Sequence, residues 1–382
     1  MRADAEFDLI IHGATGFTGR LVAEHLQSRY GSNGAVKWAM SGRSADKLKA
    51  VAAEIGATVP TIVADAADPA SLDAMARRTK CVITTVGPYQ LYGEPLVAAC
   101  AAAGTDYLDL AGEPGWMAEM IEKHDAAAKA SGARILFSCG FDSIPFELGV
   151  FHAQTLARKH FGHAVPHVSG RVRDMKGGLS GGTAASGRAT MAAVQKNPAL
   201  MQVLFNPFAL TPGFTGAEQP RGDKARRDEL LDVEVGPFMM AMINTKNVHR
   251  SNFLMGHPYG VDFTYDEMAI IQPGAQTEFP PLEGDNVPKP GEGPSKEERE
   301  TGYYDLVFVG VDKRGHQVRA GVHGDKDPGY ASTSKLIAET ALCLIEHPEV
   351  AGGIWVPGAA LGQALVDRLQ AHAGLTFTDE TP

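Results

Sequence analysis

The sequence has little positive charge to spare. Its 35 lysines and arginines are outnumbered by 45 aspartates and glutamates, for a formal net charge of -10. A chain of that balance lacks the concentrated positive charge that nucleic acid or an anionic bilayer requires, so no nucleic-acid partner is expected and any anionic ligand must be gripped locally. Cysteine is scarce as well. Cys81, Cys100, Cys139 and Cys343 stand far apart, without the paired spacing of a zinc or redox motif, and read as small buried thiols in a reducing cytoplasm. His249, His257 and His323 show no ligand-like spacing, so no metal is expected. Long hydrophobic runs are missing: none approaches the roughly 18 residues that cross a bilayer, and residues 1–6 carry acidic side chains rather than an apolar signal core. The expectation is a cytoplasmic chain with no transmembrane segment, peripheral membrane contact being left open.

What is present suffices for two ordinary domains, since the chain has 382 residues and an apolar content of 44%. Up to about Pro145, short β-branched runs at 7–12, 36–41, 61–64, 81–86, 107–110 and 135–138 alternate with amphipathic stretches at 18–29, 45–55, 69–78, 94–103 and 117–130. That rhythm predicts an α/β fold, an N-terminal Rossmann doubly wound parallel sheet with ligands at the carboxyl ends of its strands. Beyond Pro145 the rhythm changes. Glycine-rich 177–187, Pro/Gly-rich 197–223 and polar 272–301 read as surface loops. Residues 304–312 and 317–323 alternate like a hairpin, and 332–346 and 361–373 read as closing helices. The predicted division is 1–145, then an α+β domain with a mixed or antiparallel sheet over 146–330, then helices over 331–382.

Gly13, Gly16 and Gly19 follow the first strand and lead into a helical pattern. Such a triplet serves a tight turn, a close approach to a pyrophosphate, and packing of helix on strand. The expected cradle is Gly13, Thr15, Gly16, Phe17, Thr18 and Gly19. At the end of the second strand, where an NAD-binding protein usually places a carboxylate, the sequence is Ser41-Gly42-Arg43-Ser44. Arg43 can fork onto a 2'-phosphate, with Ser41 or Ser44 donating and Lys47 nearby, so NADP(H) is the expected cofactor. Ser44 equally suits a helix N-cap. Asp65, after the third strand, is placed beside the adenine or as a turn cap. Val86-Gly87-Pro88-Tyr89, with Tyr92, is placed at the nicotinamide edge.

The ordered set Gly13-Ala-Thr-Gly-Phe-Thr-Gly19, Ser41-Gly-Arg-Ser44, Val86-Gly-Pro-Tyr89, Tyr107-Leu-Asp-Leu-Ala-Gly-Glu113 and Cys139-Gly-Phe-Asp-Ser-Ile-Pro145 resembles the saccharopine dehydrogenase-like oxidoreductases, and among them the bacterial trans-acting enoyl reductases. Further matches at 180–186 and 324–330 extend the resemblance over nearly the whole chain. It implies an NADP-binding Rossmann domain, an α+β domain for substrate and dimerisation, and last helices that pack back on the first domain. It also implies NADPH-dependent reduction of a polarised double bond: a C=C bond of an enoyl thioester or lipid-like substrate, free or on a carrier protein. The imine of a saccharopine-type reductase is the alternative, and a non-catalytic NADP-binding sensor or lipid-assembly scaffold is the reading from a different class. A homodimer is expected.

Enoyl reduction needs a donor where enolate charge develops and a proton for the α-carbon. Tyr89, Tyr92 and Ser143 are the candidate catalytic groups; Glu113 and Asp142 read more readily as helix caps or arginine partners. Imine reduction on amino acids would require fixed arginines, for which Arg171, Arg173 and Arg188 are available, though Arg171-Val172-Arg173 alternates like the solvated face of a strand. The methionine-rich run 238–243 reads as core, interface or acyl channel. Residues 177–183 suit an anion-binding helix start, with Thr183 as the alternative N-cap.

Overall fold

The computed structural model describes residues 5–178, 180–271, 284, 287–289 and 291–382. Much of the expected 272–301 loop, and Leu179 of the second glycine-rich stretch, therefore lie outside the described residues. In the first part of the chain, β1 (Phe7–His12), β2 (Trp38–Gly42), β3 (Thr61–Val63), β4 (Thr79–Thr84), β5 (Asp106–Leu108) and β6 (Arg134–Leu136) pair in parallel in the order β6-β5-β4-β1-β2-β3. Alternating side chains divide this sheet between two cores: Leu9 and Ile11 enter one, Ile10 and Val82 the other. The five expected crossover helices are present as Phe17–Tyr30, Ala45–Glu54, Pro69–Ala76, Glu94–Ala103 and Pro114–Ser131.

The second sheet is mixed. Its strands are β7 (His167–Lys176), β8 (Arg226–Asp228), β9 (Val233–Pro237), β10 (Thr264–Ile270), β11 (Tyr303–Val311), β12 (Gln317–Gly324) and, after β13 (Gly353–Trp355), β14 (Leu375–Asp379). They pair in the order β14-β12-β11-β7-β10-β9-β8, with β7 and β10 parallel. The anticipated hairpin is β11–β12, registered from Tyr304 opposite Gly324 to Val311 opposite Gln317. β13 instead joins the first sheet, in parallel beside β6.

Two helices tie the sheets together. Ile144–Phe161, which the hydrophobic rhythm did not announce, buries Phe146, Leu148 and Val150 in the core shared with β11 and β12. Thr333–Glu346 returns to the first helix, where Glu339 accepts hydrogen bonds from Tyr30 at 2.9 Å and pairs with His25 at 2.8 Å. The order in which strands are added to the sheet reverses between β1 and β4, which run parallel, so their carboxyl ends open at the switch point of a doubly wound sheet.

Candidate active site

At that switch point Gly13 adopts φ +89°, a left-handed backbone that favours glycine. A Cβ there would meet Val86 at 2.8 Å and Thr85 Oγ1 at 2.9 Å. The turn is closed by two N–H groups, of Gly13 at 2.9 Å and Ala14 at 3.1 Å, donating to the Ser41 carbonyl. Gly16 then stands at the N-cap of Phe17–Tyr30 without a side chain to satisfy the first helical N–H groups, and no acidic residue occupies the first turn. Thr15, Gly16, Phe17 and Thr18 are all half-exposed. An open, uncapped helix start of this kind attracts phosphate through its N–H groups and dipole.

The end of β2 lacks any carboxylate. Arg43 is exposed and has no partner among the described residues, with exposed Lys47 beside it. Ser44 caps Ala45–Glu54 by accepting the Lys47 N–H at 3.3 Å. Ser41 requires a correction: it is fully buried, its hydroxyl 3.2 Å from His12 Nδ1, so it shapes the turn through its carbonyl and cannot reach a phosphate. Asp65 accepts the Ala67 N–H at 3.0 Å within its own turn.

Tyr89 is also displaced from its expected role. Its buried hydroxyl donates to the Thr84 carbonyl at 3.2 Å and accepts the Leu110 N–H at 3.1 Å, and burial pushes its pKa well above the ordinary value, so it holds loops together instead of giving up a proton. Tyr92, on the same turn, is 46% exposed, with no hydroxyl partner among the described residues. Glu113 caps that turn, accepting from the N–H groups of Tyr89 at 3.0 Å and Gln90 at 2.7 Å. Gly87 and Pro88 remain open at the edge.

Above this edge lies helix Gly181–Lys196. Ser180, not Thr183, is its N-cap, and the Tyr330 hydroxyl takes the Ser180 N–H at 2.6 Å while lying 2.8 Å from Thr183 Oγ1. Tyr330 in turn meets Phe17 edge-on at 5.2 Å, and the Arg299 guanidinium sits 5.4 Å over the Phe17 ring. The second glycine-rich stretch is thus linked through Tyr330 to the glycine turn after β1. Further along, Thr190 Oγ1 accepts from Gln90 at 3.3 Å. Sequence reasoning missed Tyr330 and Arg299 because only tertiary packing brings them beside residue 17.

The loop after β6 holds the remaining candidates. Ser143 is buried and its Oγ accepts from Asn247 Nδ2 at 2.8 Å. Asp142 neither caps nor pairs: its Oδ1 has no partner among the described residues, and burial pushes its pKa up to about 7. Glu147 and Glu267 are buried in the same region and are pushed up to about 8 by burial. Arg171 overturns the solvated-strand expectation, being buried against Asp228 at 2.6 Å and Asp266 at 2.8 Å. Arg173 pairs with Asp305 and Glu380. All four cysteines are buried free thiols.

An uncapped glycine turn at the switch point of a parallel sheet, with an arginine where a ribose-binding carboxylate would stand, fits a pyridine-dinucleotide oxidoreductase that takes NADP(H). Residues 9–136 match the saccharopine dehydrogenase NADP-binding domain. A Mycobacterium tuberculosis protein whose name places it provisionally among the trans-acting enoyl reductases is 38% identical over 411 residues, covering 97% of each chain. A trans-acting enoyl reductase of Mycobacterium bovis is 36% identical over 414 residues, covering 96% of each. Among solved structures, the saccharopine dehydrogenase (L-Glu forming) of Saccharomyces cerevisiae shares the fold, with TM-score 0.57 at 10% identity over 98% of this chain and 99% of its own. The chain belongs to the saccharopine dehydrogenase-like oxidoreductases, in the family of the trans-acting enoyl reductases. It is an NADPH-dependent oxidoreductase.

Proposed function

We propose that the protein reduces the polarised C=C bond of an enoyl thioester. Bound NADPH supplies the hydride, delivered to the β-carbon. The cofactor is held by Gly13, Thr15, Gly16, Phe17, Thr18 and Gly19 at the pyrophosphate, by Arg43 with Ser44 and Lys47 at the 2'-phosphate, by Gly42 and Asp65 at the adenosine end, and by Val86, Gly87 and Pro88 near the nicotinamide. Tyr92 donates a hydrogen bond to the carbonyl oxygen as enolate charge develops, the α-carbon then takes its proton from solvent, and Ser143, bonded to Asn247, holds the loop after β6. The observation that carries this choice over imine reduction is the state of Arg171: a guanidinium already shared by two buried aspartates is not free to clamp an amino acid carboxylate.

In this proposal the substrate is carrier-bound, in keeping with the trans-acting name of the relatives. Exposed Leu91, Met191 and Phe205 offer apolar surface for such a partner or for peripheral contact with a membrane. Among the described residues no helix is long and apolar enough to cross one. The proposed arrangement is a cytoplasmic homodimer with a cofactor domain at 1–145, a substrate and dimerisation domain at 146–330, and closing helices at 331–382.

The test is spectrophotometric. Purified protein with NADPH and butenoyl-CoA should lose nicotinamide absorbance, and with glutamate plus an aldehyde it should not; Tyr92→Phe should lower kcat while leaving the NADPH Kd in place. Oxidation of NADPH by the amino acid pair alone would replace this reading with imine reduction.

A further inference from the structure

A cavity of about 220 Å³ lies between the start of helix Pro114–Ser131 and the helices Gly181–Lys196 and Leu200–Phe205. A larger one, of about 540 Å³, takes no wall from the parallel sheet and is bordered by charged Asp262, Asp312, Lys313 and Arg314. The lining of the smaller cavity has a polar part and an apolar part. Gln90 and Glu113, on the loops that follow β4 and β5, form the first. Trp116, Ala193, Val194, Leu200 and Leu204 form the second.

The polar groups of the lining have their bonds already. Both Glu113 oxygens are used by the N–H groups of Tyr89 and Gln90, and the Gln90 amide donates to Thr190. Glu119, also on the wall, pairs with Lys123 at 2.6 Å. What the cavity offers a ligand is therefore mainly apolar contact. It falls below the roughly 300–1,000 Å³ typical of drug-sized ligands, which suits a single flexible chain better than a ring system.

The two outer helices are also short of buried surface. Gly181–Lys196 buries only Gly181 and Ala184, and Leu200–Phe205 buries none of its residues. Large apolar side chains next to the lining residues stand open to water: Met191 at 58% and Phe205 at 74% exposure. Apolar area left open in this way gains free energy when an apolar chain covers it.

We infer that this cavity is the subsite for the fatty chain of the acyl substrate, the thioester lying at the Gln90–Glu113 end and the chain running outward between Trp116 and Leu204. The inference rests on the enoyl thioester reading and adds a chain-length preference to it. Each methylene that enters the cavity raises kcat/KM by about three- to fourfold until the space is filled.

The experiment compares butenoyl-, octenoyl- and dodecenoyl-CoA in the wild type, Ala193→Trp and Leu204→Glu. Both positions are half-exposed on helices with few buried residues, so neither change threatens the core. The wild type should prefer the longer substrates, and both variants should lose that preference. An equal chain-length series in wild type and variants overturns the subsite. If no enoyl-CoA oxidises NADPH, the enoyl reading fails by itself, and the subsite is then decided by binding of dodecanoyl-CoA followed by calorimetry: binding that both variants abolish supports it, and binding that is absent or unaffected overturns it.

Discussion

The carbonyl oxygen of Gly13 occupies the space that a side chain on Gly19 would need. Strand and helix meet so closely that the turn's own backbone is the wall against which the helix rests. The second and third glycines of the triplet consequently do different work: Gly16 leaves the helix start open, and Gly19 lets the helix approach. Gly19→Ala must push the helix off the turn. The expected outcome is loss of NADPH binding together with a destabilisation of about 1–3 kcal/mol, as for other overpacked sites. Isothermal calorimetry and thermal melts check both parts.

Arg171 predicts a stability phenotype, not a substrate phenotype. Arg171→Ala leaves Asp228 and Asp266 buried without their shared cation, although Arg226 still reaches Asp266 at 2.8 Å. Breaking a buried pair from one side costs about 3–5 kcal/mol. Chemical denaturation should show that loss, while KM for an enoyl thioester stays near the wild-type value in whatever fraction remains folded.

Two buried carboxylates, Glu147 and Glu267, and the half-buried Asp142 set the pH dependence of stability. Glu147 and Glu267 are raised to about 8 and Asp142 to about 7, so in the folded state they keep protons that the unfolded chain releases near the ordinary carboxylate value. The stability they contribute is fully present below that unfolded value and is lost as pH rises through the folded values. His12 and His249 are depressed to about 4 and about 3, so their contribution changes below about pH 6.5. Lys246, lowered to about 8, matters above that pH. Between pH 6.5 and 8 the melting temperature should therefore fall as pH rises, and Glu267→Gln should flatten the slope.

The parallel sheet was legible because its signal is local: β-branched runs, helical spacing and glycines in fixed order. The same locality explains the errors. β4 ends at Thr84, two residues before the expected boundary, because Thr85 and Val86 already belong to the turn that packs on Gly13. Helix Ile144–Phe161 carries Pro145 in its first turn, so the residue at which the strand–helix rhythm changes is also a helix start signal. Arg171 looked like one of two solvated charges on a strand, since the aspartates that bury it arrive from residues 228 and 266. Tyr89 and Ser41 could be placed beside the cofactor by position along the chain, but burial depends on which way each side chain points. The cavity could not be read at all, because its walls come from three separate helices and from the loops after β4 and β5.

In the proposed function, the turn after β1 and the arginine after β2 together grip NADPH. Calorimetric titration of NADPH and NADH into the wild type and Arg43→Ala tests it most directly. The predicted result is binding of NADPH by the wild type, weakened roughly tenfold or more in the variant, with NADH affinity nearly unchanged. Absence of NADPH binding in the wild type, or equal weakening of both nucleotides in the variant, would contradict it.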